Sequence, residues 1–365
     1  MIFTDKESLD AVSFNNDVMK FMKESLKVII TNPRYIFFGL KALSYQLRAA
    51  SLRNKKEKEG VHVPPFLFLS ITDRCNLSCI GCFAKAHKRK EKQELSTEKI
   101  SDIVTQAKRI GISLIFIIGG EPLLRKDIFK ITRNNENIIF PVFTNGTLLD
   151  EVIFENFKTQ KNLIPVLSIE GDQWNTDQRR GKGVFSSLKE LSEKFNKNHI
   201  IWGASITVTK SNYDQVTSDE YIDALLKKGC KLILFIEYVP TSGSDSLVID
   251  QDQRDHLAKI SKEMKKKFNG IFVSFPGDEK EYGGCLSSGK AFLHISAFGD
   301  VEPCPFSPYS DCNINEVSLD EALKSDFLHE IRINHDKLEE TSSGCALWNN
   351  KDWVASLASQ KNHQE

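Results

Sequence analysis

The sequence predicts an α/β protein in which a parallel sheet is curled into a full or partial β/α barrel. After Pro64–Pro65, short continuous apolar runs alternate with amphipathic helical segments. That alternation is typical of parallel strands covered by helices on both faces. The units follow one another in series, as they do in a barrel. A doubly wound open sheet has the same periodicity, so it stays open as the competing layout.

Six strands and four helices are predicted in this part of the chain. The strands are Phe66–Ile71, Ser113–Ile118, Asn137–Phe143, Ile164–Ile169, Ile201–Thr209 and Lys231–Tyr238. The helices are Thr97–Ile110, Asp150–Lys158, Val184–Lys197 and Ser218–Lys228.

The first 60 residues are predicted to be helical. Apolar residues recur at helical spacing from Val18 to Ile30, and Pro33 ends that run. A second amphipathic stretch, Arg34 to Arg53, leads into the charged segment 54–60, which we interpret as a linker. The stretch mixes basic and apolar side chains, so two interpretations stay open. It is either a helix packed on the body of the protein or a basic helix on a membrane surface.

Composition limits the function classes. Lys plus Arg equals Asp plus Glu, at 49 each, which argues against a protein whose main task is to bind nucleic acid. Residues 1–10 carry charges of both signs and lack the apolar core of a secretory signal. No uncharged apolar stretch approaches the roughly 18 residues of a membrane span. We therefore expect a cytoplasmic protein, in which clustered cysteines more often bind metal than form disulfides.

The pattern changes near Pro276. A hairpin is predicted at Ala291–Ile295 and Asp300–Pro303, followed by a helix at Ser318–Ile333 and a closing helix near Trp353. The predicted division is a helical extension (1–60), a barrel (61–275) and a small α+β C-terminal domain (276–365).

Three cysteines follow the first predicted strand. Cys75, Cys79 and Cys82 lie within eight residues of one another, in a loop at the position where barrel proteins carry reactive groups. Thiolates favour zinc, copper(I) or iron–sulfur clusters. A structural zinc site normally needs four ligands, and three suit a cubane cluster with one iron left open. A zinc knuckle is the competing interpretation.

This CxxxCxxC spacing resembles that of the radical S-adenosylmethionine superfamily. Many members have an aromatic residue just before the third cysteine, whereas this chain has Gly81 there and Phe83 just after it. The resemblance implies a partial barrel of six β/α units, open at one side. It also implies a [4Fe–4S] cluster on the three cysteines, with S-adenosylmethionine at the open iron.

Motifs on later strands agree with the resemblance. Gly119, Gly120 and Glu121 allow close backbone approach and offer a carboxylate to an ammonium group, and the family uses this motif for the amino group of the methionine moiety. Ser168 and Glu170 alternate to one face of a strand end, and the resemblance favours ribose contacts over solvent exposure. On the following loop, Arg180 is predicted to bind the methionine carboxylate, with Arg179 as the alternative. The segment 144–147 is either a tight turn or a ligand contact.

A second cysteine set lies in the C-terminal part. Thirteen residues separate Cys285 from Gly299, and four more lead to Cys304; Cys345 comes later. The set resembles the twitch and SPASM extensions of the superfamily, which carry auxiliary [4Fe–4S] clusters. Cys312 is either the fourth ligand or a loop residue. We interpret Cys230 as a core residue, and buried thiols without a cluster are the competing interpretation for the set.

The resemblance thus predicts an enzyme that cleaves S-adenosylmethionine reductively and uses the 5′-deoxyadenosyl radical to take hydrogen from a substrate. Expected partners are S-adenosylmethionine, a reductant such as flavodoxin or ferredoxin, and an unidentified substrate, either a peptide or protein or a small-molecule or lipid precursor. No nucleic acid is expected, and peripheral membrane contact through 34–53 is an open possibility. A non-catalytic iron–sulfur protein is the alternative function.

Overall fold

The computed structural model describes residues 18–86, 93–241, 243–276, 284–338 and 344–359. Its centre is one nine-stranded sheet. The strands are β1 (Phe66–Ser70), β2 (Leu114–Ile118), β3 (Phe140–Thr144), β4 (Leu163–Ser168), β5 (Trp202–Val208), β6 (Cys230–Glu237), β7 (Ile271–Phe275), β8 (Phe292–Ile295) and β9 (Val301–Glu302). All six predicted strands and the predicted hairpin are present.

The sheet order is β7-β6-β5-β4-β3-β2-β1-β8-β9. Neighbouring strands from β7 to β8 pair in parallel, and only β9 runs antiparallel to its neighbour. The order is consecutive from β1 to β7, as in a barrel, whereas a doubly wound sheet reverses the strand order near its middle. β8 and β9 extend the sheet on the other side of β1. The predicted partial barrel is confirmed.

Helices surround the sheet. They are α1 (18–29), α2 (Ile36–Lys58), α3 (Phe83–Ala86), α4 (Thr97–Ile110), α5 (Ile128–Arg133), α6 (Glu151–Thr159), α7 (Gln173–Arg180), α8 (Val184–Lys197), α9 (Tyr213–Val216), α10 (Asp219–Lys227), α11 (Gln251–Lys267), α12 (Leu319–Ala322), α13 (Asp326–Ile333), α14 (Ala346–Asn349) and α15 (Lys351–Ser359). Short 3₁₀ turns occupy Pro33–Tyr35, Pro122–Leu124, Asp245–Leu247 and His335–Leu338.

The N-terminal helices lie across the end of the barrel where the strands begin. The Tyr35 hydroxyl accepts a hydrogen bond from the Ile201 amide (3.2 Å), and Ser113 donates to Gln46 Oε1 (2.6 Å). The Arg53 guanidinium is buried and donates to the Gly111 carbonyl (2.8 Å). The prediction of a helix packed on the body is therefore confirmed for 34–53. Residues 1–17 of the predicted extension lie outside the described part.

The inside of the barrel is aromatic near β1. Phe68 stacks on Phe116 with ring centroids 4.6 Å apart and meets Phe292 edge-on at 5.1 Å. Because side chains alternate along a strand, the residues two positions after Phe68 and Phe292 also face inward. Those residues are Ser70 and His294, at the carboxyl end of the sheet.

Three sequence predictions of local structure are wrong. The charged segment 54–60 is mostly helical and is not the predicted linker. Helix α2 continues through it to Lys58, because Lys and Glu are good helix formers. The predicted helix Ser318–Ile333 is two helices, because Ser325 caps a new one through the Leu328 amide. Arg179 and Arg180 end helix α7 instead of lying on a loop. The β7 strand was not predicted.

Candidate functional site

The first three cysteines lie on the loop that follows β1, at the carboxyl end of the sheet. Cys75 is exposed, and Cys79 and Cys82 are half-buried. All eight cysteines lie in the described part of the chain, and none of them is in a disulfide. The predicted arrangement of three accessible thiols on one loop is therefore present.

Hydrogen bonds tie this cysteine loop to β3 and to α7. Asn76 Nδ2 donates to Thr147 Oγ1 (2.7 Å), and Asn145 Nδ2 donates to Asn76 Oδ1 (2.9 Å). The Ile80 amide donates to the Arg179 carbonyl (2.8 Å). The segment after β3 is thus a turn whose side chains hold the cysteine loop, and any ligand contact there stays a prediction.

Gly119 and Gly120 pack directly against the same loop. The Gly120 amide donates to the Thr72 carbonyl (2.8 Å), and the next amide, of Glu121, donates to the Arg74 carbonyl (2.9 Å). A Cβ on Gly119 would lie 2.3 Å from the Thr72 oxygen, and one on Gly120 would lie 2.1 Å from the Arg74 oxygen. Both distances are too short for any side chain, so the two glycines are required by the contact between β2 and the cysteine loop.

The Glu121 carboxylate is buried beneath the glycines. Oε1 accepts from the Leu123 amide (3.1 Å) and the Thr144 hydroxyl (2.8 Å), and Oε2 accepts from the Asn145 amide (2.8 Å). A carboxylate has about four acceptor positions, so there is room for one further donor. Glu121 therefore joins the ends of β2 and β3, and its predicted contact with an ammonium group is compatible with these bonds.

We predict that the wild type loses stability relative to a Glu121→Gln variant as the pH rises. Burial raises the pKa of Glu121 above its ordinary value of 4.5. At a pH between the ordinary pKa of the unfolded chain and the raised pKa of the folded chain, the folded chain holds a proton that the unfolded chain has released. The free energy of unfolding therefore falls with rising pH. Glutamine does not titrate and lacks this slope. Urea unfolding of both proteins from about pH 5 to pH 8 measures the difference, and a difference that does not change with pH contradicts the prediction.

Glu170, just after β4, holds both candidate arginines. Its carboxylate is 1% exposed; Oε1 accepts from Arg179 Nη1 (2.6 Å) and from Arg180 Nε (2.8 Å). Oε2 accepts from the Thr207 amide of β5 (3.0 Å). Ser168 is half-buried two residues earlier, at the end of β4. The structure thus gives Glu170 a positioning role that the sequence did not reveal, and the ribose contacts of Ser168 and Glu170 stay predictions.

Arg180 interacts electrostatically with the cysteine loop. Burial alone would lower the pKa of its guanidinium, but Glu170 and the Cys79 and Cys82 thiolates together raise the pKa above its ordinary value. Cys75 is exposed as a residue, but partial desolvation of its sulfur raises the pKa of the thiol, and the hydrogen bond from the Leu77 amide opposes this shift. A metal bound here would have to drive the deprotonation of Cys75.

Three cysteines of the second set, Cys285, Cys304 and Cys312, lie beside the hairpin of β8 and β9. Cys285 and Cys304 are buried, and Cys312 and Cys345 are half-buried. The Cys312 carbonyl accepts from the Val301 amide of β9 (3.1 Å). Cys345 begins α14 and follows Gly344, where a Cβ would lie 2.3 Å from a carboxylate oxygen of Glu237 at the end of β6. Nowhere in the described residues do three or more His, Cys, Asp or Glu side chains form a group that could hold a single metal ion.

An aromatic contact joins the two cysteine-bearing regions. Phe83 follows Cys82, Phe306 lies two residues after Cys304, and their rings meet edge-on at 5.4 Å. This hydrophobic pair packs the segment after β9 against the helix that follows the cysteine loop.

A buried polar chain inside the barrel was missed by the sequence analysis. Ser70 Oγ lies 2.8 Å from His294 Nε2, and His294 Nδ1 lies 2.8 Å from Glu302 Oε2. Ser70, His294 and Glu302 are all less than 10% exposed and line a small cavity of about 40 Å³ together with Gly119. The alternation of side chains in the predicted hairpin, which makes His294 and Glu302 cross-strand partners, was the available signal.

We expect Glu302→Ala to destabilise the folded chain by about 1–3 kcal/mol, because His294 would lose its buried acceptor. Glu302→Gln keeps an acceptor oxygen and should cost less. Thermal unfolding of the two variants gives the comparison, and equal losses would show that the His294 hydrogen bond is not the cause.

The structure therefore defines a class of protein: a partial β/α barrel with polar and thiol groups gathered at the carboxyl ends of β1 to β4. Residues 69–222, which hold the first cysteine set and the motifs after β2, β3 and β4, match the Radical SAM superfamily model. This segment of the chain is therefore a domain of the radical S-adenosylmethionine superfamily.

Two curated relatives of this chain carry different functional names. It is 26% identical to the AdoMet-dependent heme synthase of Methanosarcina barkeri, over 70% of this chain and 80% of that protein. It is 23% identical to the mycofactocin maturase MftC of Mycolicibacterium smegmatis, over 79% of this chain and 76% of that protein.

Solved structures share the fold. SuiB of Streptococcus suis bound to S-adenosylmethionine superimposes with a TM-score of 0.65 at 21% identity, covering 83% of this chain and 76% of SuiB. The anSMEcpe enzyme with bound AdoMet and a peptide gives 0.58 at 18% identity, covering 82% and 97%. Each of the two superpositions covers more of this chain than the part that contains the barrel strands.

Proposed function

We propose that Cys75, Cys79 and Cys82 hold a [4Fe–4S] cluster at which the enzyme cleaves S-adenosylmethionine reductively. When bound, the cluster and S-adenosylmethionine supply an electron and a 5′-deoxyadenosyl radical that takes hydrogen from the substrate. The observation that carries the proposal is the set of hydrogen bonds that ties the cysteine loop to β2, β3 and α7. These bonds bring the predicted ligand-binding segments to the thiols.

The donors around the loop fit this pair of ligands. Arg179 Nε is buried and has no hydrogen-bond partner within the described residues. A buried donor without a partner is costly unless a ligand satisfies it. An anionic carboxylate is the natural acceptor for a guanidinium, so the methionine carboxylate is bound by Arg179 together with Arg180. This observation supports the alternative residue, Arg179, as well as the predicted Arg180.

The remaining residues orient and enclose the ligand. Glu121 has one acceptor position left for the ammonium group, and Gly119 and Gly120 bring the backbone of β2 close to it. Ser168 at the end of β4 offers a hydroxyl for the ribose. Beneath them, the stacked Phe68 and Phe116 form an apolar floor that excludes water.

We further propose an auxiliary [4Fe–4S] cluster in the C-terminal part, held by Cys285, Cys304 and Cys345, with Cys312 as the possible fourth ligand. The hairpin brings three of these cysteines to one region, and Gly344 places Cys345 at the mouth of the barrel beside β6. A twitch- or SPASM-like domain beginning near residue 276 is part of this proposal. Such a cluster would anchor the substrate or accept an electron from it.

The auxiliary cluster predicts the iron content of variants. The reconstituted wild type should hold about eight iron atoms per chain, four for each cluster. Cys285→Ala combined with Cys304→Ala should lower this to about four and keep S-adenosylmethionine cleavage. Iron and acid-labile sulfide measurements test this, and an unchanged iron content would reject the second cluster. Cys312→Ala separates a ligand from a loop residue in the same assay.

The substrate remains one of two classes. A solved structure of SuiB holds its precursor peptide SuiA, which supports a peptide or protein. The relative named as a heme synthase supports a small molecule.

Flavodoxin or ferredoxin is the proposed reductant. A cytoplasmic location also stays a proposal; no helix among the described residues is long and apolar enough to cross a membrane.

Formation of 5′-deoxyadenosine tests the proposal. The reconstituted full chain, reduced with dithionite and given S-adenosylmethionine, should release 5′-deoxyadenosine and methionine in equal amounts. Release of neither product from protein that contains iron and sulfide would favour the non-catalytic iron–sulfur alternative.

A further inference from the structure

The end of the barrel opposite the cysteine loop carries an unusual charge. The whole chain has a formal net charge of zero, yet residues 18–58 contain ten Lys and Arg against two Asp and Glu. These residues form α1 and α2, which lie across the amino-terminal end of the strands. The N-terminal helices therefore carry an excess of basic residues at the end of the barrel that is turned away from the site of chemistry.

The same face carries exposed apolar side chains. Ten large hydrophobic residues are exposed in the described part of the chain, and five of them lie between residues 30 and 47. Phe37 is 85% exposed, Leu40 59% and Leu47 54%. The opposite side of α2 is fixed to the barrel through Tyr35 and Gln46, so these three side chains cannot turn inward without releasing the helix.

Apolar and basic side chains are sorted around α2. At about 100° per residue, Phe37, Leu40 and Leu47 lie within an arc of about 80°. Lys41 and Arg48 lie within about 40° of that arc. A neighbouring apolar and basic stripe on one helix is typical of helices that lie in a membrane interface. Lys41 also pairs with Glu136 (2.7 Å), which reduces its free charge.

A basic cavity opens beside the stripe. It has a volume of about 760 Å³, and Arg48 of α2, Lys108 and Arg109 of α4, and Arg133 of α5 line it together with a single acid, Glu136. Arg133 donates one hydrogen bond to Asn156 (2.9 Å). Four cations around one concave space suit an anionic phosphate group, and Arg48 connects this space to the stripe on α2.

We propose that this face binds an anionic phospholipid membrane, with Phe37, Leu40 and Leu47 entering the interface and the basic cavity taking a phosphate headgroup. Charge selects this occupant. A second copy of the chain is disfavoured, because two basic faces would repel each other. Nucleic acid is disfavoured, because it would leave the apolar stripe without an apolar partner. The orientation leaves the cysteine loop facing away from the bilayer. The proposal does not depend on the proposed radical chemistry.

Vesicle co-sedimentation of the reconstituted full chain tests the proposal. The chain should bind phosphatidylcholine vesicles containing phosphatidylglycerol at least tenfold more tightly than pure phosphatidylcholine, and added salt should weaken the binding. The triple change Phe37→Ser, Leu40→Ser, Leu47→Ser should reduce binding at least tenfold, as should Lys108→Glu with Arg109→Glu and Arg133→Glu. The matched control, Val152→Ser with Ile333→Ser, removes apolar side chains of similar exposure elsewhere and should bind as the wild type does.

Several outcomes would overturn the proposal. Equal affinity for both vesicle types would show that the face does not select anionic lipid. Variants that bind as well as the wild type would show that this face is not the membrane-binding surface. Dimerisation without vesicles that the Phe37, Leu40, Leu47 variant abolishes would assign the face to a second copy. Inorganic phosphate that binds the protein in calorimetry and displaces it fully from vesicles would assign the cavity to a small anion. Circular dichroism and unchanged 5′-deoxyadenosine release would show that the variants are folded.

Discussion

Replacing Cys79 by alanine should lower 5′-deoxyadenosine formation by about 1,000-fold or more, because loss of the cluster removes both the electron source and the binding site of S-adenosylmethionine. Iron content should fall by about four atoms per chain. The half-buried position of Cys79 and its closeness to the Arg180 charge place it at the centre of the proposed site. The product is measured by liquid chromatography after anaerobic reconstitution.

Cys230 supplies a matched control for this change. It is fully buried in the core, and burial raises the pKa of its thiol to about 12, so it is a poor metal ligand. Cys230→Ala should therefore keep the iron content and the activity. If Cys79→Ala retains its iron and its product, the assignment of the cluster to this loop is wrong.

Replacing Glu170 by alanine should have the second largest effect. The carboxylate neutralises Arg179 and Arg180, whose side chains are only 13% and 11% exposed. Removal of one partner from a buried ion pair costs about 3–5 kcal/mol, and the two guanidiniums would also lose the orientation that directs them to the carboxylate of S-adenosylmethionine. We expect a large loss of thermal stability together with weakened S-adenosylmethionine binding.

Glu170→Gln separates the two effects. Glutamine keeps an acceptor for the Thr207 amide and loses the charge, so it should be less destabilising than alanine and still bind S-adenosylmethionine weakly. Glu151→Ala, which removes an exposed partner of Lys194, should change stability by less than about 1 kcal/mol. If Glu170→Ala binds S-adenosylmethionine as tightly as the wild type does, then Glu170 does not position the arginines for this ligand.

The sequence was most informative where local pattern decides structure. Continuous apolar runs identified β1 to β6, and the predicted helix Thr97–Ile110 agrees with α4 at both ends. The spacing of Cys75, Cys79 and Cys82 and the glycines after β2 identified the site segments, because their chemistry does not depend on distant residues. The hairpin was identified from its turn at Gly299, where φ is +93°.

Contacts between distant residues were not predictable in the same way. The pairing of β8 with β1 joins residues more than 200 positions apart, and no local signal records it. Glu170 was predicted to contact the ribose because its position after β4 directs it inward. In the structure its carboxylate instead accepts hydrogen bonds from two arginines of the next helix, α7. His294 and Glu302 were each within predicted strands, yet their partnership with Ser70 arises only from the β1–β8 pairing.

One measurement tests the central claim most directly. Iron, zinc, sulfide, 5′-deoxyadenosine and methionine are quantified on a single sample of the reconstituted, reduced full chain given S-adenosylmethionine. The proposed function predicts iron and sulfide in equal amounts, no zinc, and equal amounts of the two cleavage products, all lost when Cys75, Cys79 and Cys82 are replaced together. Zinc without sulfide, or products that persist in that triple variant, would contradict it.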